Sequence, residues 1–175
     1  RDLSIINTPP PNRQSIETQI IGLNEVVIRD AIIYEISRNG QIFFVHNRIE
    51  NIKEIAGFLS RLCPDAKIKI GHGQMEGNLI EELMSEFMEG DFDILVSTTI
   101  IENGVDIPNA NTIIINNAQN FGLSDLHQMR GRVGRSNKKA FCYLISPPTH
   151  QISDDSRKRL NALEQFSNIG SGFKI

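Results

Sequence analysis

Residues 41–62 read Gln-Ile-Phe-Phe-Val-His-Asn-Arg-Ile-Glu-Asn-Ile-Lys-Glu-Ile-Ala-Gly-Phe-Leu-Ser-Arg-Leu, which predicts one strand followed by one helix. The segment from Gln41 to Val45 is almost continuously apolar, as is typical of a strand buried on both faces. After a short polar segment, apolar residues recur at the i, i+3, i+4, i+7 spacing of an amphipathic helix: Ile52, Ile55, Ala56, Leu59 and Leu62. A buried strand followed by a helix is the repeating unit of a parallel α/β sheet.

The same alternation of strand and helix recurs along the chain. Further strands are expected at Ala66–Ile70, Asp93–Val96, Thr112–Ile115 and Ala140–Ile145. Helices are expected at residues 25–38, closed by Asn39-Gly40; at Leu79–Met88, ended by Gly90; after Phe121, capped by Ser124; and from Ser153, with Asp154 and Asp155 in its first turn. This order implies right-handed crossovers and a mostly parallel sheet covered on both faces.

Size and composition are those of a globular domain. The 175 residues are enough for one core, and 39% are hydrophobic and 22% charged. The net charge of −3 means that any contact with a polyanion must be local. Two cysteines without metal-ligand spacing indicate a reducing, cytoplasmic setting, and the apolar runs are too short to span a membrane. Because the chain begins with Arg1 rather than Met, we expect a fragment of a longer protein.

The segment Gln128-Met-Arg-Gly-Arg-Val-Gly-Arg135 holds three arginines and two glycines. A guanidinium binds phosphate bidentately and stabilises the transition state of phosphoryl transfer. The alternative is a solvated, salt-bridged helix face. Gly131 and Gly134 argue against that alternative, because each costs roughly 1 kcal/mol relative to Ala in a helix interior. The run therefore favours a site for an anion with several oxygens.

Three more polar clusters follow predicted strands, where ligands bind in doubly wound sheets. His46-Asn47-Arg48 suits a phosphate, and its alternative is an ordinary turn before a helix. Gly71-His72-Gly73-Gln74-Met75 suits close approach of another chain, and its alternative is a flexible turn with a solvated histidine. The segment 97–108 combines hydroxyls, Gly104 and the carboxylate of Asp106, and its alternative is a loop with an N-capping threonine.

Taken in order, these clusters resemble motifs of superfamily 2 helicases and translocases. Residues 41–52 resemble motif IV, residues 97–108 motif V, and residues 128–135 motif VI. The resemblance implies the second RecA-like domain of such a motor: a three-layer α/β/α domain with a mostly parallel central sheet, which is a P-loop NTPase fold lacking the P-loop.

The resemblance is closer to one family within this superfamily. Residues 1–10, 70–75 and 121–136 resemble the bacterial transcription-repair coupling factors, and residues 162–173 resemble the start of that family's translocation motif. Fork-reversal helicases of the RecG family share the layout and are the alternative. We expect residues 1–18 to be a linker arm from a preceding RecA-like domain, 19–150 the helicase C-terminal domain, and 151–175 a helix and the start of the translocation motif.

The resemblance implies a role for individual residues. Arg135 matches the arginine finger, Arg132 the second motif VI arginine and Gln128 the glutamine that orders the cleft, while Gly104 and Asp106 match nucleotide-facing positions of motif V. Contacts with DNA are implied for Thr98, Thr99, Asn47 and Arg48, and more loosely for His72, Gly73 and Gln74. Asn103 departs from the pattern, because many superfamily 2 proteins carry arginine there, so a nucleotide contact from that side chain is in doubt.

The chain lacks the Gly-x-x-x-x-Gly-Lys-Ser/Thr phosphate loop and an Asp-Glu pair after a strand. The family keeps both in its first RecA-like domain, so ATP with Mg²⁺ is expected to be bound mainly there, and the isolated chain is expected to be inactive. The residues suggest no metal site of their own. Double-stranded DNA and the preceding domain are the implied partners, with RNA polymerase and UvrA bound through other domains. A non-catalytic module that binds phosphate or an acidic protein is the alternative of a different class.

Overall fold

Six parallel strands form one sheet in the computed structural model, which describes residues 16–99 and 106–165. The strands are β1 (Ile16–Ile21), β2 (Gln41–Val45), β3 (Ile68–Gly71), β4 (Ile94–Ser97), β5 (Ala110–Ile115) and β6 (Ala140–Ile145). Their order across the sheet is β1-β6-β5-β2-β4-β3, and every pairing is parallel. The predicted "mostly parallel" sheet is therefore wholly parallel among the described strands.

Five α-helices cover the two faces of the sheet. They are α1 (Glu25–Ser37), α2 (Ile52–Leu62), α3 (Gly77–Met88), α4 (Leu123–Arg130) and α5 (Asp154–Gln165). Neighbouring β2 residues point to opposite faces: Phe43 packs with α3, α4 and α5, while Phe44 packs with α1 and α2. This is the three-layer α/β/α arrangement that the resemblance implied.

Local contacts explain where the helices begin and end. The Asn24 side chain accepts hydrogen bonds from the backbone N–H groups of Val26 and Val27, which caps α1. Gly90 has a φ of 83° directly after α3, a left-handed position that favours glycine. The Ser153 hydroxyl accepts from the N–H of Ser156, as expected for the start of α5.

Two sequence-based expectations need correction. The sequence pattern does not predict β1, which begins at Ile16 inside the segment 1–18 expected to be an arm. The prediction that Ser124 caps the helix after Phe121 is wrong. Gly122 holds the cap position, and the first helical bond runs from the N–H of Leu126 to the Gly122 carbonyl, so Ser124 is already inside the first turn.

A buried carboxylate ties α1 to the sheet at the edge where the strands begin. Glu35 is fully buried and accepts hydrogen bonds from the Arg38 guanidinium at 2.6 and 2.8 Å and from the Thr112 hydroxyl at 2.5 Å. Arg38 in turn donates to the Lys139 carbonyl. These contacts leave the opposite edge, where the strands end, free to carry the polar clusters. Within the described residues, no helix is long and apolar enough to cross a membrane.

Candidate functional site

The strand ends form a row across the sheet. Register pairs Gly71 with Ser97, Ser97 with Val45, Val45 with Ile115, and Ile115 with Leu144. Because parallel strands end at one edge, the segments that follow β2, β3 and β4 emerge side by side. The three clusters expected after strands therefore share this edge.

His46 anchors the first of these segments from within the core. It is 2% exposed, and its Nε2 lies 2.6 Å from Asn51 Oδ1 while its Nδ1 lies 2.9 Å from Asn116 Nδ2. A neutral ring with its proton on Nε2 satisfies both amides, since one nitrogen then donates and the other accepts. His46 is thus a structural residue that presents Asn47 and Arg48, both exposed, at the edge of the sheet.

Motifs IV, V and VI meet at a cavity of about 270 Å³. Asn47, Thr99 and Gln128 contribute one residue from each motif to its lining. The two predicted threonines differ: Thr98 is only 8% exposed, whereas Thr99 is exposed and lines the cavity. In this structure Thr99 is therefore the accessible hydroxyl.

A second cavity of about 440 Å³ is lined by Asn47, Arg48, Asn117 and Asn120. Asn120 also lines the first cavity, so the two adjoin. Neither Asn117 nor Asn120 is among the predicted site residues. The rule used for the other clusters, that ligand-binding residues follow strands, would have found this segment, because Asn116-Asn117 directly follows β5.

The arginine run ends in a contact with motif V. Gly134 has a φ of 82°, a left-handed conformation that favours glycine and ends the helical path of the arginine run. Arg135 Nε then donates to the Gly131 carbonyl at 3.0 Å, and its Nη1 lies 3.6 Å from Asp106 Oδ2. Gly131 itself has helical dihedral angles, and a Cβ there would make ordinary contacts, so its conformation does not demand glycine.

Arg130 serves the fold rather than the site. Its Nη1 donates to the Thr18 hydroxyl at 3.2 Å and to the Leu163 carbonyl at 2.8 Å, which ties α4 to β1 and α5. Burial lowers the pKa of this guanidinium. Burial, and secondarily the charge of Arg130, also lowers the pKa of His127. Leu126, Met129 and Arg130 share the inner face of α4, a helical spacing that distinguishes Arg130 from its neighbours.

The remaining predicted residues lie after α4, after β3 or outside the described part of the chain. Arg132 is half-buried directly after α4. His72, Gly73 and Gln74 form a turn after β3 in which the His72 ring accepts from the N–H of Gln74 at 3.3 Å, and a Cβ on Gly73 would meet open space. Gly104 and Asn103 lie outside the described residues.

Comparison with known proteins defines the class. Residues 24–137 match the model of the helicase conserved C-terminal domain, and the chain belongs to this family. It is similar to transcription-repair-coupling factors: it is 49% identical over its whole length to that of Bacillus subtilis and 48% identical over 173 residues to that of Haemophilus influenzae. The chain spans 15% of the length of each.

A solved structure supports the same class. The structure of RecG bound to a three-way DNA junction matches 90% of this chain and 21% of its own, with a TM-score of 0.77 and 35% sequence identity. The RecA-like α/β fold expected from the motifs is thereby confirmed, together with the resemblance to the coupling factors.

Proposed function

We propose that this chain is the second RecA-like half of an ATP-dependent double-stranded DNA translocase. The observation that carries the proposal is that the segments resembling motifs IV, V and VI meet: Asn47, Thr99 and Gln128 line one cavity, and Asp106 contacts Arg135. Positions that the resemblance assigns to the nucleotide and positions that it assigns to DNA thus belong to segments that contact one another. A helicase-family motor needs both kinds of position on the same domain face.

On the nucleotide side, Arg135 acts as the arginine finger. Its side chain is 37% exposed and its carboxylate partner 60% exposed, so the guanidinium is held yet accessible to a second domain. Arg132 adds a second cation, Gln128 orders the cleft, and Gly104 and Asp106 face the nucleotide. ATP with Mg²⁺, bound mainly by the first RecA-like domain, supplies the phosphoanhydride bond that is cleaved. Residues of this chain neutralise the negative charge that develops on the phosphates as this bond breaks. An arginine finger contributes about 10³ to 10⁵ in rate.

On the DNA side, the chain contacts the backbone without reading its sequence. Asn47, Arg48 and Thr99 supply exposed amide, guanidinium and hydroxyl donors, whereas Thr98 is largely buried; His72, Gly73 and Gln74 extend the same edge. Such groups bind phosphate and position a protein on DNA without base specificity. Closing and opening of the cleft between the two RecA-like domains then moves the motor along the duplex.

In the longer protein this motion displaces stalled RNA polymerase and couples transcription to nucleotide excision repair in the cytoplasm, with UvrA and the polymerase bound through other domains. The support is the similarity of this whole chain to a segment that makes up 15% of each coupling factor. A second candidate function is fork reversal. It is favoured by the 35% identity to RecG, whose solved structure is bound to a three-way DNA junction.

ATP hydrolysis and translocation assays test this proposal. The longer protein should hydrolyse ATP faster with duplex DNA than without it, and the isolated chain should not exceed background. The longer protein should also release a stalled polymerase faster than it remodels a three-way junction. If it remodels the junction faster, the fork-reversal function is favoured. Clear turnover by the pure chain, or no effect of DNA on the longer protein, would overturn the proposal.

A further inference from the structure

Two asparagines that line the second cavity have side chains without a hydrogen-bond partner among the described residues. Within residues 16–99 and 106–165, neither Asn117 nor Asn120 forms a side-chain hydrogen bond. Nearby amides are used: Asn116 bonds to His46, and Asn111 bonds to Ser136. Free amides at the end of the sheet are available to a ligand.

Asn117 is also held in an unusual backbone conformation. Its φ is 53°, in the left-handed region that costs a non-glycine residue energy. The short helix Ala118–Asn120 follows directly, and the N–H of Asn120 donates to the Asn117 carbonyl at 3.0 Å. The turn places both side chains on the wall of one cavity with Asn47 and Arg48.

The charges around the two adjoining cavities differ. Among the described residues that line the second cavity, Arg48 carries the only formal charge, and it is positive. Asp125 lines the first cavity and places a carboxylate there. The second cavity is therefore electrostatically the more favourable of the two for a phosphate.

We propose that Asn117 and Asn120, together with Arg48, form a binding subsite for a backbone phosphate of the DNA strand. This inference rests on the proposed function, and it adds a segment between β5 and α4 that motifs IV, V and VI do not include. The two amide groups donate to the non-ester oxygens, and Arg48 supplies the charge. Asn47 and Asn120 line both cavities, so they lie at the boundary between the subsite and the first cavity.

Fluorescence anisotropy of the 175-residue chain with a labelled, mixed-sequence DNA duplex tests the subsite. Asn117→Gly removes one amide and relieves the left-handed backbone, and Asn120→Ala removes the other from an exposed position. Each should weaken binding about tenfold or more, as expected for loss of a hydrogen bond to a charged group. Asn39→Gly is the matched control, because Asn39 is an exposed asparagine with a φ of 66° at the opposite edge of the sheet. It should leave DNA affinity unchanged.

The salt dependence of binding separates this inference from the proposed function. Arg48→Ala should lower the slope of log affinity against log salt by about 1, because one fewer counterion is released. The two asparagine variants should weaken binding at constant slope, because an amide carries no charge. If Arg48→Ala weakens binding and both asparagine variants bind as tightly as Asn39→Gly, the subsite is wrong and the DNA-binding proposal stands. If the unaltered chain binds no duplex, both are wrong.

Discussion

The carboxylate of Asp106 lies 3.6 Å from the guanidinium of Arg135, which joins the segment after β4 to the segment after α4. The two residues are far apart in sequence, and Gly134, with its φ of 82°, turns the chain so that they meet. Both side chains remain substantially exposed, so the contact contributes little to folding stability. We infer that its purpose is to orient Arg135 toward a ligand that a second domain holds.

Asp106→Asn should therefore reduce catalysis and spare stability. Loss of the carboxylate frees the guanidinium, and we expect the rate of ATP hydrolysis by the longer protein to fall about tenfold, a cost of roughly 1.4 kcal/mol in the barrier. The melting temperature should change little, because exposed ion pairs are worth about 0–1 kcal/mol. Asp65→Asn, at an exposed position on the opposite edge, is the control. Equal rates for the two variants would show that Asp106 does not position Arg135.

Arg130→Ala should destabilise the domain. The substitution removes donors to the Thr18 hydroxyl and the Leu163 carbonyl, both in the interior. We expect the free energy of unfolding to fall by about 3 kcal/mol in urea titrations. Arg157→Ala removes only a surface ion pair with Asp154 and should cost about 0.5 kcal/mol or less. A similar loss for both variants would contradict the structural role of Arg130.

Gly40→Ala should be among the most damaging glycine substitutions. A Cβ at this position would collide with the buried carboxylate of Glu35, which is held by Arg38 and Thr112 and cannot move aside cheaply. We expect a loss of about 3 kcal/mol in thermal or urea unfolding. Gly57→Ala is the matched control in α2: its Cβ would sit 3.4 Å from the end of the flexible Arg61 side chain, and higher helix propensity should stabilise by up to about 1 kcal/mol. A stable Gly40→Ala protein would refute the packing described around Glu35.

The two cysteines should react differently with iodoacetamide. Burial raises the pKa of Cys142 to about 12, so its thiolate is scarce at pH 8 and the reagent cannot reach it. Burial raises the pKa of Cys63 as well, but Cys63 lines a surface groove beside Pro64. Mass spectrometry of the folded chain should find Cys63 alkylated slowly and Cys142 only after unfolding. Because the folded pKa of Cys142 lies above its unfolded value, its contribution to stability is complete below about pH 9 and declines as the pH rises toward 12. Early labelling of Cys142 would contradict its position in the core.

The sequence predicts the central, buried strands of the sheet well and the outermost strand, β1, poorly. Phe43 and Phe44 belong to an apolar run that has only one good explanation, a strand covered on both faces. In contrast, β1 is an edge strand that mixes Glu17, Thr18 and Gln19 with isoleucines and follows a proline-rich stretch, so its pattern is weak. Its position is determined by pairing with β6, which is a tertiary contact.

The functional site likewise contains residues that the sequence predicts and features that only the structure shows. The motif pattern identifies Asn47, Thr99 and Gln128, and the structure brings them to one cavity. A run of arginines does not by itself reveal which member faces inward; the helical spacing of Arg130 from Leu126 and the packing of α4 separate buried Arg130 from Arg135. Whether Arg135, Arg132 and the threonines act as proposed stays a prediction.

The most direct test of the central claim is ATP turnover by the longer protein with Arg135→Ala, measured together with nucleotide affinity in the presence of duplex DNA. If Arg135 completes a nucleotide site whose remaining groups lie in another domain, turnover should fall about 10³-fold or more while the dissociation constant for ATP changes less than about threefold. Turnover within a few fold of the unaltered protein would contradict the account, because Arg135 would then have no part in the reaction.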